Sequence, residues 1–250
     1  MSQTNSTSWE DSSEWYHGLV GEEGHYYHKH LLFPCLLSLL KTKKADQSLL
    51  DLGCGQGAFA LALFKEFSYV GVDISPSLIK AAKTHAPNRE FHVQDVCTPF
   101  DLGKTFTHAT MLLSLQNMEK PQEAFMNVKR HLKQGGTLIL VLNHPCFRIP
   151  RQSSWGIDDN KKSQYRRIDS YMSPMNIPIN MKPGQGKEVT TLSFHYPLSH
   201  LFSWLHTCGF TVANLHELCS NKQSVGKCAT MENRARREIP LFLVLVAKSL

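Results

Sequence analysis

The chain of 250 residues carries 27 Lys/Arg against 21 Asp/Glu, a formal net charge of +6, and 42% hydrophobic residues. That length can bury a full core and that composition excludes global disorder. The longest leucine-rich run, Leu31 to Leu40, contains Pro34 and falls well short of the ~20 residues of a membrane span.

The first six residues are polar and lack a secretory pattern. Seven scattered cysteines without a Cys-x-x-Cys pair argue against a disulfide framework and a structural zinc, and for a reducing, cytoplasmic compartment. Residues 1–45 read as an N-terminal lid segment and helix. From Ser48 short apolar strands alternate with amphipathic helices, the pattern of a parallel α/β sheet. The expected strands are Ser48–Leu52, Tyr69–Asp73, Phe91–Asp95, Thr107–Leu113 and Thr137–Leu142. Helices are expected over Ala58–Phe67, from Pro76 behind an N-cap at Ser75, and over Pro121–Lys133, the last ended by Gly135-Gly136. After Cys146 regularity fails for about fifty residues, with extended pieces near Ser173–Met181 and Glu188–Tyr196. Leu198, Leu201, Phe202 and Leu205 then share a helical face closed by Gly209, and strands Phe210–Leu218 and Ile239–Ala247 follow. Their connection is far longer than the usual ~2–5 residues of a hairpin. The division expected is 1–45, a cofactor-binding half over 46–146, a cap insertion over 147–196, and 197–250 completing the same domain.

The turn Asp51-Leu52-Gly53-Cys54-Gly55-Gln56-Gly57 joins a strand to a helix. Its glycines allow a tight turn and a close approach of backbone to ligand. Asp73 ends the second strand, where a carboxylate can take ribose hydroxyls, and Asp95 ends the third, 22 residues on. Together with Gly71-Val72-Asp73-Ile74-Ser75 and Gln94-Asp95-Val96, the turn resembles motifs I, post-I and II of class I S-adenosylmethionine-dependent methyltransferases, over Ser48 to Asn143. The resemblance implies a doubly wound, seven-stranded, mostly parallel, Rossmann-like sheet whose last strand is antiparallel, with a substrate-cap insertion after strand five. It also implies S-adenosyl-L-methionine as cofactor, released as S-adenosyl-L-homocysteine. The residues implied at the cofactor are Asp51, Gly53, Cys54, Gly55, Gly57, Asp73, Ile74, Asp95, Val96 and Leu113. A nicotinamide fold explains the first two motifs and not the third. The aromatic segment Trp15-Tyr16-His17 to His30 reads as a lid, with Tyr26, Tyr27 and His28 toward the cofactor. The spacing His25-x-x-His28-x-His30 lacks the carboxylates or cysteines of a metal site, so no metal is expected.

Methyl transfer from a sulfonium is an in-line displacement that needs alignment and a dry pocket more than strong acid–base groups. Amino-methyltransferases of adenine or glutamine resemble one another in an (Asn/Asp)-Pro-Pro-(Tyr/Phe) motif after strand four. Here that place reads Leu113-Ser114-Leu115-Gln116-Asn117-Met118. Gly135-Gly136 followed by Pro145-Cys146 mimics RNA cytosine-C5 methyltransferases, whose second Pro-Cys this chain lacks. Sheet topology delivers Gln116, Asn117, Asn143, His144 and Cys146 to one rim. The layout after strand five resembles small-molecule enzymes of the quinone-biosynthesis type. In that reading Trp155, Tyr165, Arg166, Tyr171, Phe194 and His195 form the cap, His144 is the first candidate for a base or orienting group, and His195 is the second. Arg148–His200 holds eight Lys/Arg against four Asp/Glu and Cys219–Pro240 five against two, so the basic excess sits in two segments leaving that rim. The expectation is therefore a methyltransferase for a small, anionic acceptor. The alternatives are an RNA or protein methyltransferase using the basic rim and a non-catalytic binding module of the same fold.

Overall fold

The computed structural model describes residues 9–10, 18, 21–40, 46–180 and 190–250. Trp15, Tyr16 and His17 of the expected lid lie outside the described residues. The strands, in chain order, are β1 (Ser48–Leu52), β2 (Ser68–Asp73), β3 (Glu90–Val93), β4 (Phe106–Leu112), β5 (Leu132–Asn143), β6 (Ser153–Asp158), β7 (Ser163–Ile168), β8 (Met175–Asn180), β9 (Thr190–His195), β10 (Phe210–Leu218) and β11 (Phe242–Ser249). The helices are α1 (Phe33–Leu40), which continues a π-helical turn over His28–Leu32, α2 (Ala58–Ala62), α3 (Pro76–His85), α4 (Pro121–His131), α5 (Leu198–Thr207) and α6 (Ala229–Glu238).

Seven strands form one sheet in the order β10-β11-β5-β4-β1-β2-β3. The first five strands are mutually parallel, and β11 alone runs against them, inserted between β5 and β10 with Phe242 opposite Asn143. The expected sheet is therefore present, with its antiparallel last strand.

Alternation of side chains in β5 explains the two-sided core. Leu138, Leu140 and Leu142 join one apolar cluster with Phe125 and Val128 of α4 and Leu201 and Leu205 of α5. Ile139 and Val141 join the opposite cluster with Leu36, Phe59 and Ile79 of α1, α2 and α3. A strand buried on both faces needs a continuous apolar run, which is what Leu138 to Leu142 supplies.

Several boundaries differ from expectation. Helix α2 ends at Ala62 because Leu63 turns extended, with ψ 143°. The carbonyls left free beyond it accept from Arg89, whose guanidinium reaches Leu63 O at 3.3 Å and Phe64 O at 3.0 Å. Helix α4 stops at His131, before the glycine pair. Gly135, at φ 70°, instead sits in a bulge of β5, where the partners of Phe106 and His108 jump from Leu132 to Thr137. Strand β3 closes at Val93, so Asp95 stands in the loop beyond it. Phe202 points outward from α5 while Leu201 and Leu205 are buried.

The insertion folds as two hairpins. The β8–β9 pair answers the two extended pieces, and its connection over 181–189 is outside the described residues. The β6–β7 hairpin sets Trp155 opposite Arg166 and packs on α6, a helix lying inside the long last connection. Neither β6–β7 nor α6 was expected.

Candidate active site

The carboxyl ends of β1 to β5 surround a cavity of about 480 Å³, within the ~300–1,000 Å³ usual for small-molecule sites. Its floor is the turn after β1. Gly53 N and Cys54 N both donate to Val72 O, at 2.8 and 3.1 Å, which pins the turn against β2. Gly53 has φ +73°, and a Cβ there would stand 2.4 Å from Ser114 Cβ. Both conditions demand glycine.

At the end of β2 the Asp73 carboxylate accepts from Gly55 N at 2.9 Å and from Ser75 N at 3.0 Å. Burial pushes its pKa up, opposed by those two N–H groups. Ser75 Oγ also caps α3 by accepting from Leu78 N at 3.2 Å. Across the cavity the Asp95 side chain accepts from Cys97 N at 2.8 Å. Leu113, at φ 54°, turns the chain out of β4 and into the wall. Beyond it Gln116 Oε1 accepts from Asn143 N at 3.0 Å, joining the ends of β4 and β5.

The structure brings Gly53, Gly55, Asp73, Ile74, Asp95, Val96, Leu113, Gln116, Asn117, Asn143 and His28 to this one cavity. The other sequence candidates stand elsewhere. Asp51 is buried beneath the turn, accepting from Tyr69 Oη at 2.9 Å and Thr110 Oγ1 at 2.8 Å. Its carboxyl is raised to about 6, because burial outweighs those two hydroxyl groups. Burial also drives the Cys54 thiol well up, and Gly57 takes the left-handed position that starts α2. Tyr27 packs edge-on against Phe242, with its hydroxyl 3.0 Å from Ser220 Oγ, and is outside the cavity wall.

His144, the first candidate for a base, is buried and off the wall. Its Nδ1 accepts from Cys146 N at 3.2 Å and its Nε2 lies 2.8 Å from Glu217 Oε1. Both ring nitrogens are therefore engaged, and burial lowers its pKa more than Glu217 raises it. His195 is buried with Nε2 at 2.8 Å from Tyr171 O, lining a separate small cavity. Burial raises the Cys146 thiol above its usual range, the opposite of what a nucleophile needs. Trp155 and Tyr165 are exposed on the β6–β7 hairpin. Arg166 ties that hairpin down, donating to Phe147 O and Ser153 Oγ, each at 2.7 Å.

Among the wall residues that sequence reasoning did not assign are Trp9, Gln94, Thr98 and the charged pair Glu119 and Lys120. Gln94 had a signal, its place beside Asp95; the others carried none. His28 is neutral near pH 7, its pKa lowered to about 4 by burial and by His25. Its Nδ1 accepts from His25 N at 3.1 Å, which leaves the proton on Nε2. Among the described residues no cluster of His, Cys, Asp and Glu could hold a metal, and no helix is long and apolar enough to cross a membrane.

The methyltransferase domain family matches residues 50–140, the stretch from β1 to the middle of β5. Residues 50–140 are a class I methyltransferase domain. The domain's relatives include a ubiquinone biosynthesis O-methyltransferase of Coxiella burnetii, 31% identical over 126 residues, 48% of this chain and 54% of the relative. The chain thus spans about half the length of the curated relatives it matches. Among solved structures, an S-adenosylmethionine dependent methyltransferase from Mesorhizobium loti aligns with TM-score 0.69 at 22% identity, over 88% of this chain and 99% of that one. One from Clostridium acetobutylicum aligns at TM-score 0.60 and 17% identity, over 96% and 98%. These likenesses, over 88% and 96% of the chain, extend the fold beyond residue 140.

Proposed function

We propose that the protein transfers a methyl group from S-adenosyl-L-methionine to a small-molecule acceptor. The observation that carries the reading is the Asp73 carboxylate, held by two N–H groups beside a glycine floor that tolerates no side chain. That arrangement fits the cofactor: Asp73 retains acceptor capacity for a ribose, Gly53 and Gly55 admit a close backbone approach, and Asp95 and Val96 stand where an adenine edge would meet them. Ile74, which is exposed in the cavity wall, offers an apolar face to the ring. When bound, the cofactor would supply an electrophilic methyl group on a sulfonium. The chain's own part is alignment and exclusion of water, from Leu113, Met118 and Trp9 on the apolar side and Gln116, Asn117 and Asn143 on the polar side.

A small acceptor is favoured over RNA because the densest basic clusters are partly committed within the fold. Arg167 pairs with Asp169 at 2.7 Å, Arg166 binds neutral oxygens of the insertion, and Arg236 reaches Ser224 Oγ at 3.1 Å. The name of the Coxiella burnetii relative supports the same class of acceptor. Calorimetric titration with S-adenosylhomocysteine should show saturable binding, weakened about a hundredfold or more by Asp73→Ala, the scale of two charge-assisted hydrogen bonds. Wild-type protein that takes up no S-adenosylhomocysteine overturns the reading.

A further inference from the structure

Arg148 closes the turn after β5, its backbone N donating to His144 O at 2.7 Å. Its partly buried guanidinium lies over the Phe242 ring, 5.2 Å from the centroid. Among the described residues it makes no ion pair and no side-chain hydrogen bond. Burial lowers its pKa, and a second cation, Arg166, lowers it further against an opposing effect of Tyr27. Lys222 Nζ stands 4.5 Å from the Tyr26 ring and 5.1 Å from that of Tyr27, the tyrosine packed on Phe242. Arg148 and Lys222 thus sit on the two rings of the Tyr27–Phe242 contact, and neither is paired with a described carboxylate. A partly buried guanidinium without a carboxylate partner carries a desolvation cost, which an arriving anion would offset.

The place of Arg148 says which anion. It lines a cavity of about 40 Å³, enough for about three water-sized groups, whose wall includes Gln116 and Asn143. Those two residues also line the large cavity, so the two spaces meet at the junction of β4 and β5. A planar monoanion of three heavy atoms suits that volume, which Arg148 bounds together with the aromatic residues Phe194 and Tyr196.

We propose that Arg148 seats a carboxylate carried by the methyl acceptor, with the reacting atom directed past Asn143 into the large cavity. The assignment rests on the methyl-transfer reading and names its substrate class. It makes Arg148 a specificity residue, and it turns the His144–Glu217 contact into the brace that holds the turn bearing it.

The test uses benzoate and its neutral isostere benzamide as probes, each titrated by calorimetry with and without S-adenosylhomocysteine. Benzoate should bind wild-type protein at millimolar concentrations or tighter and benzamide at least tenfold more weakly. Arg148→Gln should weaken benzoate about tenfold or more while S-adenosylhomocysteine affinity stays within about twofold, and Arg148→Lys should recover part of the loss. Arg148→Met should melt no lower than wild type, because it removes an unpaired charge from a partly buried position. Benzoate bound no better than benzamide, no benzoate binding at about 10 mM, or an Arg148→Gln variant that binds it normally each overturns the carboxylate seat. An Arg148→Met variant that melts well below wild type marks a packing residue and overturns it too. Arg148-dependent benzoate binding in a protein that ignores S-adenosylhomocysteine would leave the seat standing and sink the methyl-transfer reading instead.

Discussion

Replacing Asp51 by asparagine should stabilise the protein at neutral pH. Asp51 opens the glycine turn, yet it is buried, and its hydrogen-bond partners among the described residues are the hydroxyls of Tyr69 and Thr110. Its carboxyl titrates near 3.8 when unhindered and at about 6 in the fold. Between those values the folded chain holds a proton that the unfolded chain has lost. Stability from this group is therefore fully present below about pH 4 and is lost as pH rises through 6. A gap of about two pH units corresponds to about 3 kcal/mol at pH 7. Asparagine keeps the shape without the charge, and either hydroxyl can turn to accept from its amide. The expected gain is about 1–3 kcal/mol, or about 3–10 °C in Tm for a chain of this size. Thermal melts of both proteins from pH 4 to pH 8 measure it, and the difference should vanish toward pH 4. An Asp51→Asn protein less stable than wild type at pH 7, or a difference that does not change with pH, refutes the argument. S-adenosylhomocysteine affinity should change by less than about threefold, because the carboxyl does not reach the cavity.

Gly53→Ala and Gly103→Ala separate backbone strain from collision. Both glycines have positive φ, but only at Gly53 would a Cβ meet another atom closely, Ser114 Cβ at 2.4 Å. Urea denaturation should show about 1–2 kcal/mol lost at Gly103 and a clearly larger loss at Gly53, with S-adenosylhomocysteine binding lost only at Gly53. Equal losses would show that the turn yields freely. Histidine burial sets the acid limb: His108 is lowered to about 4 by burial and by Lys248. The unfolded chain gains its proton from about pH 6.5 downward and the folded chain does not, so this contribution is present above 6.5 and lost as pH falls toward 4. His108→Gln should therefore flatten the stability loss between pH 6.5 and 4 by about 3 kcal/mol at most; an unchanged acid limb in chemical denaturation would contradict the burial.

The cofactor half was legible because its demands are local. A glycine whose φ must be positive, a carboxylate that takes N–H groups two residues on, and a Ser-Pro helix start each sit within a few residues of what they bind. The rim was not legible, because its contacts join distant parts of the chain. His144 looked like a base until Glu217 placed a carboxylate on one of its ring nitrogens. Helix α6 escaped notice because Ala235 is its one buried residue, so the helix shows no apolar stripe. Arg166 looked like a substrate contact and is instead the clasp of the β6–β7 hairpin, since its partners Phe147 and Ser153 are neutral oxygens that sequence patterns do not mark.

The turn Asn143-His144-Pro145-Cys146-Phe147-Arg148 gathers these threads into one physical statement. It is held from four directions: Gln116 on the N–H of Asn143, Glu217 on the ring of His144, Arg166 on the carbonyl of Phe147, and Leu241 O on the N–H of His144. Each contact satisfies a polar group of the turn. The thiol of Cys146 stays protonated, the imidazole of His144 stays neutral, and the amides Gln116, Asn117 and Asn143 line the large cavity, with Glu119 and Lys120 further along its wall. Alkyl transfer from a sulfonium disperses positive charge in its transition state, so a rigid wall of neutral dipoles costs it nothing in reorganisation. The only charge the turn leaves unmatched is Arg148, one step back from that wall. A fold that neutralises every other group on the turn and leaves this one unpaired separates two tasks: the wall aligns the methyl acceptor, and the arginine chooses it.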